Sequence, residues 1–278
     1  MTQESQTSPM SVLSQVMGIV NVTPDSFSDG GRWASTQAAV DQAMRLVAEG
    51  ADVLDIGGES TRPGAEPVGE AEEIDRVVPV IAAMRARWDG AISVDTMKPA
   101  VARAAIAAGA TMWNDVTALS QAPDSLAVAA ELGCEVVLMH MKGEPRTMQA
   151  DPRYGDVVGE VRDYLRVRAE AAMAAGVARE RIWLDPGIGF GKTLAHNMAL
   201  TARLDVLVEL GFPILYAASR KRTIQAIDPT AVEATDRLGG SLALALEGAR
   251  RGARMVRVHD VRETVQALAV QAAVTAVG

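Results

Sequence analysis

VMGIVNVTPDSFSDGG, residues Val16–Gly31, contains the pattern that decides the fold. Four of its first five residues are apolar, which indicates a buried strand. The strand ends at Asn21 and passes into a loop of Thr, Pro, Asp, Ser and Gly, all typical of turns. Such loops usually face solvent and have no function. The oxygen-bearing side chains here are closely spaced, however, and suit a hard cation or an anionic substrate, so we predict a binding loop.

The same unit, a short strand followed by an Ala-rich helical stretch, recurs along the chain. Such alternation is the pattern of β-α-β units with a parallel sheet. Eight strands are predicted, at 16–20, 52–57, 91–95, 111–115, 135–139, 181–185, 213–217 and 254–258. A doubly wound open sheet would alternate too. Eight units without an obvious linker favour a single α/β domain, a (β/α)₈ TIM barrel over residues 15–278 that follows a flexible tail at 1–14.

Composition supports this architecture and excludes several classes of function. The 278 residues fit one barrel, and 49% apolar but only 4% aromatic residues suit helices packed on a parallel sheet. A net charge of −8 disfavours nucleic-acid binding, which needs a basic face. There is no run of about 18 apolar residues, so we expect a cytoplasmic protein with no membrane segment. The lone Cys134 adjoins an apolar run, which predicts a buried, unreactive thiol.

Polar or charged residues stand at the carboxyl end of nearly every predicted strand. They are Asn21, Gly57–Arg62, Asp95, Asn114–Asp115, His140, Asp185, Ser219–Lys221 and Arg257–Asp260. Helix caps would explain one or two of these, but not all of them. In a barrel they converge on one face, where catalytic groups are found, so we predict the active site at the carboxyl-terminal ends of the strands.

Asp95, Asn114 and Asp185 each end an apolar strand, where an unpaired carboxylate would be unfavourable. Alternation turns Asp95 and Asn114 into the barrel if Val94 and Trp113 face the helices. A ring of acceptors with an Asn donor fits the edge of a guanidine-like heterocycle. Polar residues satisfied by water are the alternative. Metal ligation by the two carboxylates is less favoured, because no His accompanies them at ligand spacing.

Two further loops are rich in Gly. GGESTRPGAEP, residues 57–67, is interpreted as a lid whose Arg62 can meet a carboxylate or phosphate, with a plain surface loop as the alternative. LDPGIGFGK, residues 184–192, fits neither the Walker spacing nor the dinucleotide fingerprint. We interpret it as a tight turn that lets Phe190 approach a flat ligand.

Basic residues follow the last two predicted strands. SRKR at 219–222 places several donors at the start of a helix, and RVHD at 257–260 places Arg and His at a strand end. In barrels the loops after strands seven and eight commonly hold phosphate. A basic run is usually a solvated face, but here it interrupts an acidic protein, so we predict an anion site. His140 is left unassigned, and His196 is predicted to lie on a helix surface.

Together these motifs closely resemble those of the dihydropteroate synthase family over nearly the whole chain. The motifs are NVTPDSFSDGG, GGESTRPGA, SVDT with KP, WND, LMHM, LDPG with GFGK, SRK and RVHD. The resemblance implies condensation of 6-hydroxymethyl-7,8-dihydropterin pyrophosphate with para-aminobenzoate, which gives 7,8-dihydropteroate and pyrophosphate for folate synthesis. It also implies a Mg²⁺ cofactor and a homodimer, for which Ala-rich helices near the end of the chain offer an interface.

The resemblance assigns roles to individual residues. The pterin would be held by Asp95, Asn114, Met139, Asp185 and Lys221. The pyrophosphate would contact Asn21, Arg257 and His259, with Mg²⁺ on Asn21 and Asp29. The aminobenzoate would lie among Thr61, Arg62, Pro63, Phe190, Ser219 and Lys221. Catalysis would rest on Asp95, Asp185, Lys221, Arg257 and His259, through a dissociative (SN1-like) step in which carboxylates offset charge on the pterin and cations stabilise the leaving pyrophosphate.

The chain departs from the family pattern at Ala217, at Trp113 and in a short amino-terminal segment, and two rival functions remain. Ala217 stands where the family often has Gly, and Trp113 is bulkier than the usual aliphatic residue, although an outward position would absorb it. These departures leave the sulfonamide response open.

One rival function is that of a barrel that transfers a methyl group from a folate to a corrinoid protein, which needs no pyrophosphate-binding residues. The other is a noncatalytic pterin-binding module, which would bind pterin without turnover.

Overall fold

The computed structural model describes residues 13–22, 31–60, 66–144 and 147–277, with the side chains of 31–35 left out. Its strands are β1 Gln15–Asn21, β2 Val53–Gly57, β3 Ala91–Asp95, β4 Met112–Asp115, β5 Glu135–Met139, β6 Ile182–Asp185, β7 Leu215–Tyr216 and β8 Met255–Val258. Its α-helices are α1 Gly31–Ala48, α2 Glu70–Arg85, α3 Pro99–Ala107, α4 Ser125–Leu132, α5 Val157–Ala174, α6 Leu194–Ala202, α7 Asp205–Val208, α8 Arg222–Ile227, α9 Leu238–Arg250 and α10 Val261–Thr275.

All eight strands pair in parallel, in the order β6-β5-β4-β3-β2-β1-β8-β7. The two ends of the sheet meet at an isolated bridge between Leu184 and Ile214. There the Leu184 amide also donates to the Pro213 carbonyl over 3.0 Å. We call this weakly paired side, Leu184 against Pro213–Ile214, the β6–β7 seam. The sheet is a nearly closed barrel surrounded by helices, which confirms the predicted (β/α)₈ fold.

Strand side chains divide into two layers because successive residues point to opposite faces. The barrel interior is filled by six buried side chains: Met17, Val53, Met112, Val137, Leu215 and Met255. The alternate positions pack against the helices in a second, larger core that includes Leu54, Val94 and Trp113. Packed layers of this kind close the centre of the barrel and leave the carboxyl ends of the strands as the concave face.

The layers fix where the polar residues at the strand ends point. Val94 and Trp113 are fully buried in the helix-facing core, as expected, and the indole nitrogen of Trp113 donates to the Thr96 carbonyl over 2.8 Å. Alternation then turns Asp95 and Asn114 toward the barrel axis. The bulk of Trp113 is therefore accommodated outside the barrel, away from the predicted pterin contacts.

Four further predictions concern the amino-terminal tail, Cys134, His196 and membrane-spanning helices. Residues 1–12 of the predicted tail lie outside the described residues, while the Ser14 hydroxyl donates to the Ala253 carbonyl over 2.6 Å. Cys134 is buried as predicted, and burial raises its thiol pKa to about 11, which makes it unreactive. His196 is half-buried near the start of α6, where its backbone N–H donates to the Thr193 hydroxyl. In the described chain no helix is both long and apolar enough to cross a bilayer.

Candidate active site

An arginine of β8 joins several strands across the barrel mouth. The Nε atom of Arg257 lies 2.6 Å from Asp55 Oδ2, and its Nη2 atom lies 2.8 Å from Asp95 Oδ2. The Asn114 amide donates to the same Asp55 oxygen over 3.2 Å. Asp55, Asp95, Asn114 and Arg257 therefore form one hydrogen-bonded group, here called the acid–arginine cluster. Three of its members were predicted from the sequence, and the structure brings them together.

Asp55 is the member that the sequence predictions missed. It lies within β2 rather than at its end, it is 0% exposed, and its Oδ1 atom has no hydrogen-bond partner among the described residues. The available signal was a carboxylate inside the apolar run VLDIG, where a buried charge requires a partner. That partner is Arg257, which is far away in sequence and adjacent only in the closed barrel.

Burial perturbs both charges that meet at Asp95. It raises the pKa of Asp95 to about 7, although Arg257 acts in the opposite direction. Burial by itself lowers the pKa of Arg257, but attraction to Asp55 and Asp95 outweighs that effect and holds the pKa above its usual range. Arg257 is therefore always charged, whereas Asp95 changes its charge near neutral pH.

Asp185 and Lys221 interact electrostatically at the ends of β6 and β7. The Asp185 carboxylate accepts the Gly187 N–H over 2.6 Å, and burial raises its pKa against the attraction of Lys221. Burial lowers the pKa of Lys221 to about 8, opposed by Asp185. The Lys221 ammonium donates to the Ile188 carbonyl and lies 4.7 Å from the centre of the Phe190 ring. The predicted neighbours Lys221 and Phe190 thus lie side by side.

Ser219 and His259 meet where β7 and β8 end. The Ser219 hydroxyl lies 3.0 Å from His259 Nδ1, and the His259 backbone N–H donates to the same hydroxyl over 3.2 Å. Between Ser219 and Lys221, Arg220 adopts a left-handed conformation (φ 59°) and its side chain pairs with Asp260. Arg220 and Asp260 therefore brace the loop, while Ser219 and His259 remain together at the site.

Two further predicted site residues, Asn21 and Met139, lie at the ends of β1 and β5. Asn21 ends β1 in register with Gly57 of β2, which is itself in register with Asp95 of β3. Met139 is buried at the end of β5, beside the turn that begins at Gly187. Four predicted residues lie outside the described residues: Asp29, Thr61, Arg62 and Pro63.

Asp115 and His140 have surroundings that separate them from the acid–arginine cluster. The buried Asp115 carboxylate accepts the N–H groups of Thr117 and Leu119 at 2.7 and 2.9 Å, so it organises the loop after β4. Burial raises its pKa to about 6. His140 is buried. Burial, and to a smaller extent the charge of nearby Lys192, lowers the pKa of His140 to about 3. Sequence reasoning placed Asp115 among the strand-end groups, although alternation from an inward Asn114 already turns it away.

The donor atoms constrain which metal ion this face suits. Within the described part of the chain, no three His, Cys, Asp or Glu side chains are grouped to hold a metal. Asp95 pairs with Arg257, and Asp185 accepts a backbone N–H, so both carboxylates already have partners. Mg²⁺ commonly takes only one or two protein oxygens and completes its shell with water and substrate phosphates. The half-buried Asn21 fits such a partial donor set.

The barrel fold and the charged site at its mouth indicate an enzyme that binds a heterocycle and an anion. Comparison with known proteins agrees with this class. The sequence model of the pterin binding enzyme family matches residues 17–259. Because this match spans most of the chain, the chain belongs to the pterin binding enzymes.

Individual relatives narrow the class to a particular enzyme. Dihydropteroate synthase of Escherichia coli K12 is 49% identical over 255 residues, which cover 92% of this chain and 89% of the relative. A solved structure of Xanthomonas albilineans dihydropteroate synthase with 4-aminobenzoic acid is 52% identical, with a TM-score of 0.89, and covers 96% of this chain and 94% of that one. A second, in complex with 7,8-dihydropteroate, is 50% identical with a TM-score of 0.86, covering 96% and 95%. The family resemblance expected from the motifs is confirmed, and so is the prediction of a transferase.

Proposed function

We propose that this enzyme condenses 6-hydroxymethyl-7,8-dihydropterin pyrophosphate with para-aminobenzoate, giving 7,8-dihydropteroate and pyrophosphate. The observation that carries the proposal is that the acid–arginine cluster lies close enough to Asp185 and Lys221 for Arg257 to affect the pKa of both. This arrangement offers acceptors for a heterocycle and cations for an anion at the same site. The similarity to dihydropteroate synthases with bound 4-aminobenzoic acid and 7,8-dihydropteroate supports this choice of substrates.

The pterin would occupy the inward row of polar side chains. Asp95 and Asp185 accept its N–H groups, Asn114 donates and accepts through its amide, and Lys221 donates to the ring. Met139, which is buried beside the turn at Gly187, packs on the ring face. The preformed hydrogen bonds of Asn114 and Asp185 support this assignment, because they hold both side chains in fixed orientations.

The pyrophosphate would lie between Asn21, Arg257 and His259. Arg257 suits this role because it stays charged although it is half-buried, and its guanidinium already lies among the strand ends. Mg²⁺ bound through Asn21, and through Asp29 of the first loop, would neutralise part of the pyrophosphate charge. Asp29 lies outside the described residues, so this part of the proposal rests on the family resemblance.

The aminobenzoate would lie over Phe190, Lys221 and Ser219, close to where the pterin methylene is exposed. Lys221 stands beside the Phe190 ring, which supports a site for a flat ligand that carries a carboxylate. Thr61, Arg62 and Pro63 complete this subsite in the proposal and lie outside the described residues.

The reaction would be dissociative. Asp95 and Asp185 offset the positive charge that develops on the pterin as the bond between its methylene carbon and the pyrophosphate oxygen breaks. Arg257 and His259 stabilise the departing pyrophosphate, which keeps the bond electrons. The amine of aminobenzoate then uses its lone pair to form the carbon–nitrogen bond and releases a proton to water. Because this amine is neutral, no strong general base is needed.

The proposal includes a cytoplasmic homodimer. Support for a dimer comes from α10, on which Val270 and Val274 lie one turn apart and are both exposed. Apolar side chains aligned on one helix face favour burial against another surface. A second copy of the chain is the expected occupant, and sedimentation analysis of the full chain tests it.

A pyrophosphate-release assay tests the proposed reaction. With the pterin pyrophosphate, para-aminobenzoate and Mg²⁺, we expect steady release of pyrophosphate together with formation of dihydropteroate. Omitting aminobenzoate should abolish turnover, and a chelator should suppress it. Absence of aminobenzoate-dependent release would contradict the proposal and favour either the noncatalytic module or the methyl-transferring barrel.

A further inference from the structure

A buried lysine outside the proposed contacts occupies the centre of the turn after β6. Lys192 is only 3% exposed. Its ammonium donates to the carbonyls of Gly187, Phe190 and His140 at 2.9, 3.0 and 3.2 Å, and it lies 2.9 Å from His140 Nδ1. A side chain that usually reaches water is thus entirely enclosed by acceptors from two loops.

The turn that Lys192 fills cannot be held by ordinary side-chain packing, because its glycines approach the neighbouring loop too closely. A Cβ atom at Gly187 would lie 1.9 Å from the His140 carbonyl oxygen, and one at Gly191 would lie 2.2 Å from that of Lys142. Both glycines also have positive φ angles, 66° and 60°. The two loops therefore meet backbone to backbone, and polar donors must bind their facing carbonyls.

The same turn carries groups of the proposed aminobenzoate subsite. Phe190 belongs to it, and the Ile188 carbonyl accepts the Lys221 ammonium. Gly189 donates its N–H to the Asn197 side chain over 2.9 Å, which ties the turn to α6. Any shift of the turn would therefore move Phe190 and Lys221 together.

We propose that Lys192 is a positioning residue that fixes the turn Gly187–Gly191, so that Phe190 and Lys221 are held for aminobenzoate. The inference rests on the proposed function for the identity of the ligand. Lys192 acts through the backbone: its ammonium is enclosed and binds the Gly187 and Phe190 carbonyls of the turn. It acts as an internal hydrogen-bond donor that binds three carbonyls in place of water.

The charges around the ammonium agree with this role. Because burial keeps the pKa of His140 near 3, His140 is neutral and its Nδ1 can accept a hydrogen bond from Lys192. Burial lowers the pKa of Lys192 itself to about 7, while Asp185 opposes and Lys221 adds to that effect. The lowered pKa shows that enclosing the ammonium costs hydration energy, which the hydrogen bonds to the carbonyls offset in part.

Replacing Lys192 by Met tests the proposal, because Met keeps most of the length and removes every donor. In the full-length enzyme we expect the KM for aminobenzoate to rise about tenfold or more. The kcat at saturating aminobenzoate and the Kd for the pterin pyrophosphate should change less than this KM, because Asp95, Asn114 and Arg257 lie outside the turn. Amides of residues 187–191 should also exchange with deuterium faster, while those of the barrel strands keep their protection.

Two further variants make the result interpretable. Arg166→Met is the control for loss of a cation, because the Arg166 guanidinium pairs with Glu170 on the exposed face of α5, so its kinetics should remain those of wild type. Lys192→Gln retains a neutral amide with two N–H donors and should give an intermediate KM. If the Met variant fails to fold, the Gln variant still tests the proposal.

Distinct outcomes separate failure of this inference from failure of the proposed function. If wild type releases no pyrophosphate in response to aminobenzoate, the proposed function is wrong. If wild type is active and both Lys192 variants keep a wild-type KM for aminobenzoate, Lys192 does not position the turn. Equal losses of kcat, pterin affinity and strand protection would likewise overturn the proposal, because they would reveal general destabilisation.

Discussion

Asp55 and Asp95 hold the same guanidinium in different surroundings. Asp55 is fully buried within β2, whereas the Asp95 side chain at the end of β3 is 15% exposed. Asp55 contacts Nε of Arg257, and Asp95 contacts Nη2. A ligand entering the barrel mouth can therefore take over the Asp95 carboxylate while Asp55 keeps Arg257 in place.

The proposed electrostatic role of Asp95 predicts a loss of rate on neutralising it. Asp95→Asn keeps the size of the side chain but removes the charge that offsets the developing pterin cation. We expect the single-turnover rate to fall by about a hundredfold or more, as is typical when an electrostatic stabiliser is lost. Rapid-quench measurement of dihydropteroate formation checks it. Asp163→Asn, on the exposed side of α5, is the control. Unchanged single-turnover chemistry in the Asp95 variant would exclude the role.

The shifted pKa values predict a bell-shaped dependence of pterin-dependent turnover on pH. Below about pH 7 Asp95 becomes protonated and can no longer accept a pterin N–H as a carboxylate. Above about pH 8 Lys221 loses its proton and its charge. Activity should therefore decrease on both sides of this interval. Asp95→Asn should remove the decrease in activity at low pH, and Lys221→Arg should remove the decrease at high pH. If the decrease at low pH persists in the Asp95 variant, another group causes it.

Single residues also define how far the site could be predicted from sequence. Asp95, Asn114 and Asp185 were identifiable because each is a polar residue at or next to the carboxyl end of an apolar strand. Asp55 was not identified, because a strand-internal carboxylate finds its partner only when the barrel closes around Arg257. The pairing of Arg220 with Asp260 depends on a left-handed backbone that no local pattern indicated.

At the level of elements, apolar runs ended by polar residues predicted every strand. Boundaries shifted by one or two residues, and the seventh strand is the most reduced, since only Leu215–Tyr216 of the predicted 213–217 is a strand. The turn after β6 was interpreted correctly as tight. Its stabilisation by Lys192 could not be predicted, because the lysine joins carbonyls of its own turn to His140, which lies 52 residues away in sequence.

The turn after β6 also predicts different costs for the same glycine substitution at two places. Gly187→Ala combines a positive φ with a contact of 1.9 Å to a backbone oxygen, whereas Gly176→Ala has a positive φ but ordinary space beside it. We expect losses in the free energy of unfolding of about 3 kcal/mol and about 1 kcal/mol, respectively. Urea unfolding of both variants measures them. Equal losses would mean that the loops separate easily.

At the scale of the whole molecule, the barrel is not equally strong around its circumference. β1 pairs with β2 from Met17 to Asn21 and with β8 from Gln15 to Gly18, whereas the β6–β7 seam has one isolated bridge. We expect the Leu184 amide to exchange with deuterium faster than those of β1 in the free enzyme. Because Asp185 and Lys221 stand on opposite sides of the seam, bound pterin should slow this exchange. Equal protection of β1 and the seam would contradict this picture.

Because the β6–β7 seam is weakly paired, the chain could be cut beside it into two fragments that reassociate. A break at the exposed Gly211 would separate a fragment with β1–β6 from one with β7 and β8, while leaving the β8–β1 ladder available to rejoin them. A pterin that binds Asp185 on one fragment and Lys221 on the other would then stabilise the complex of the two polypeptides. The strength of reassembly, followed with a fluorescent pair on the fragments, would report the concentration of pterin in solution.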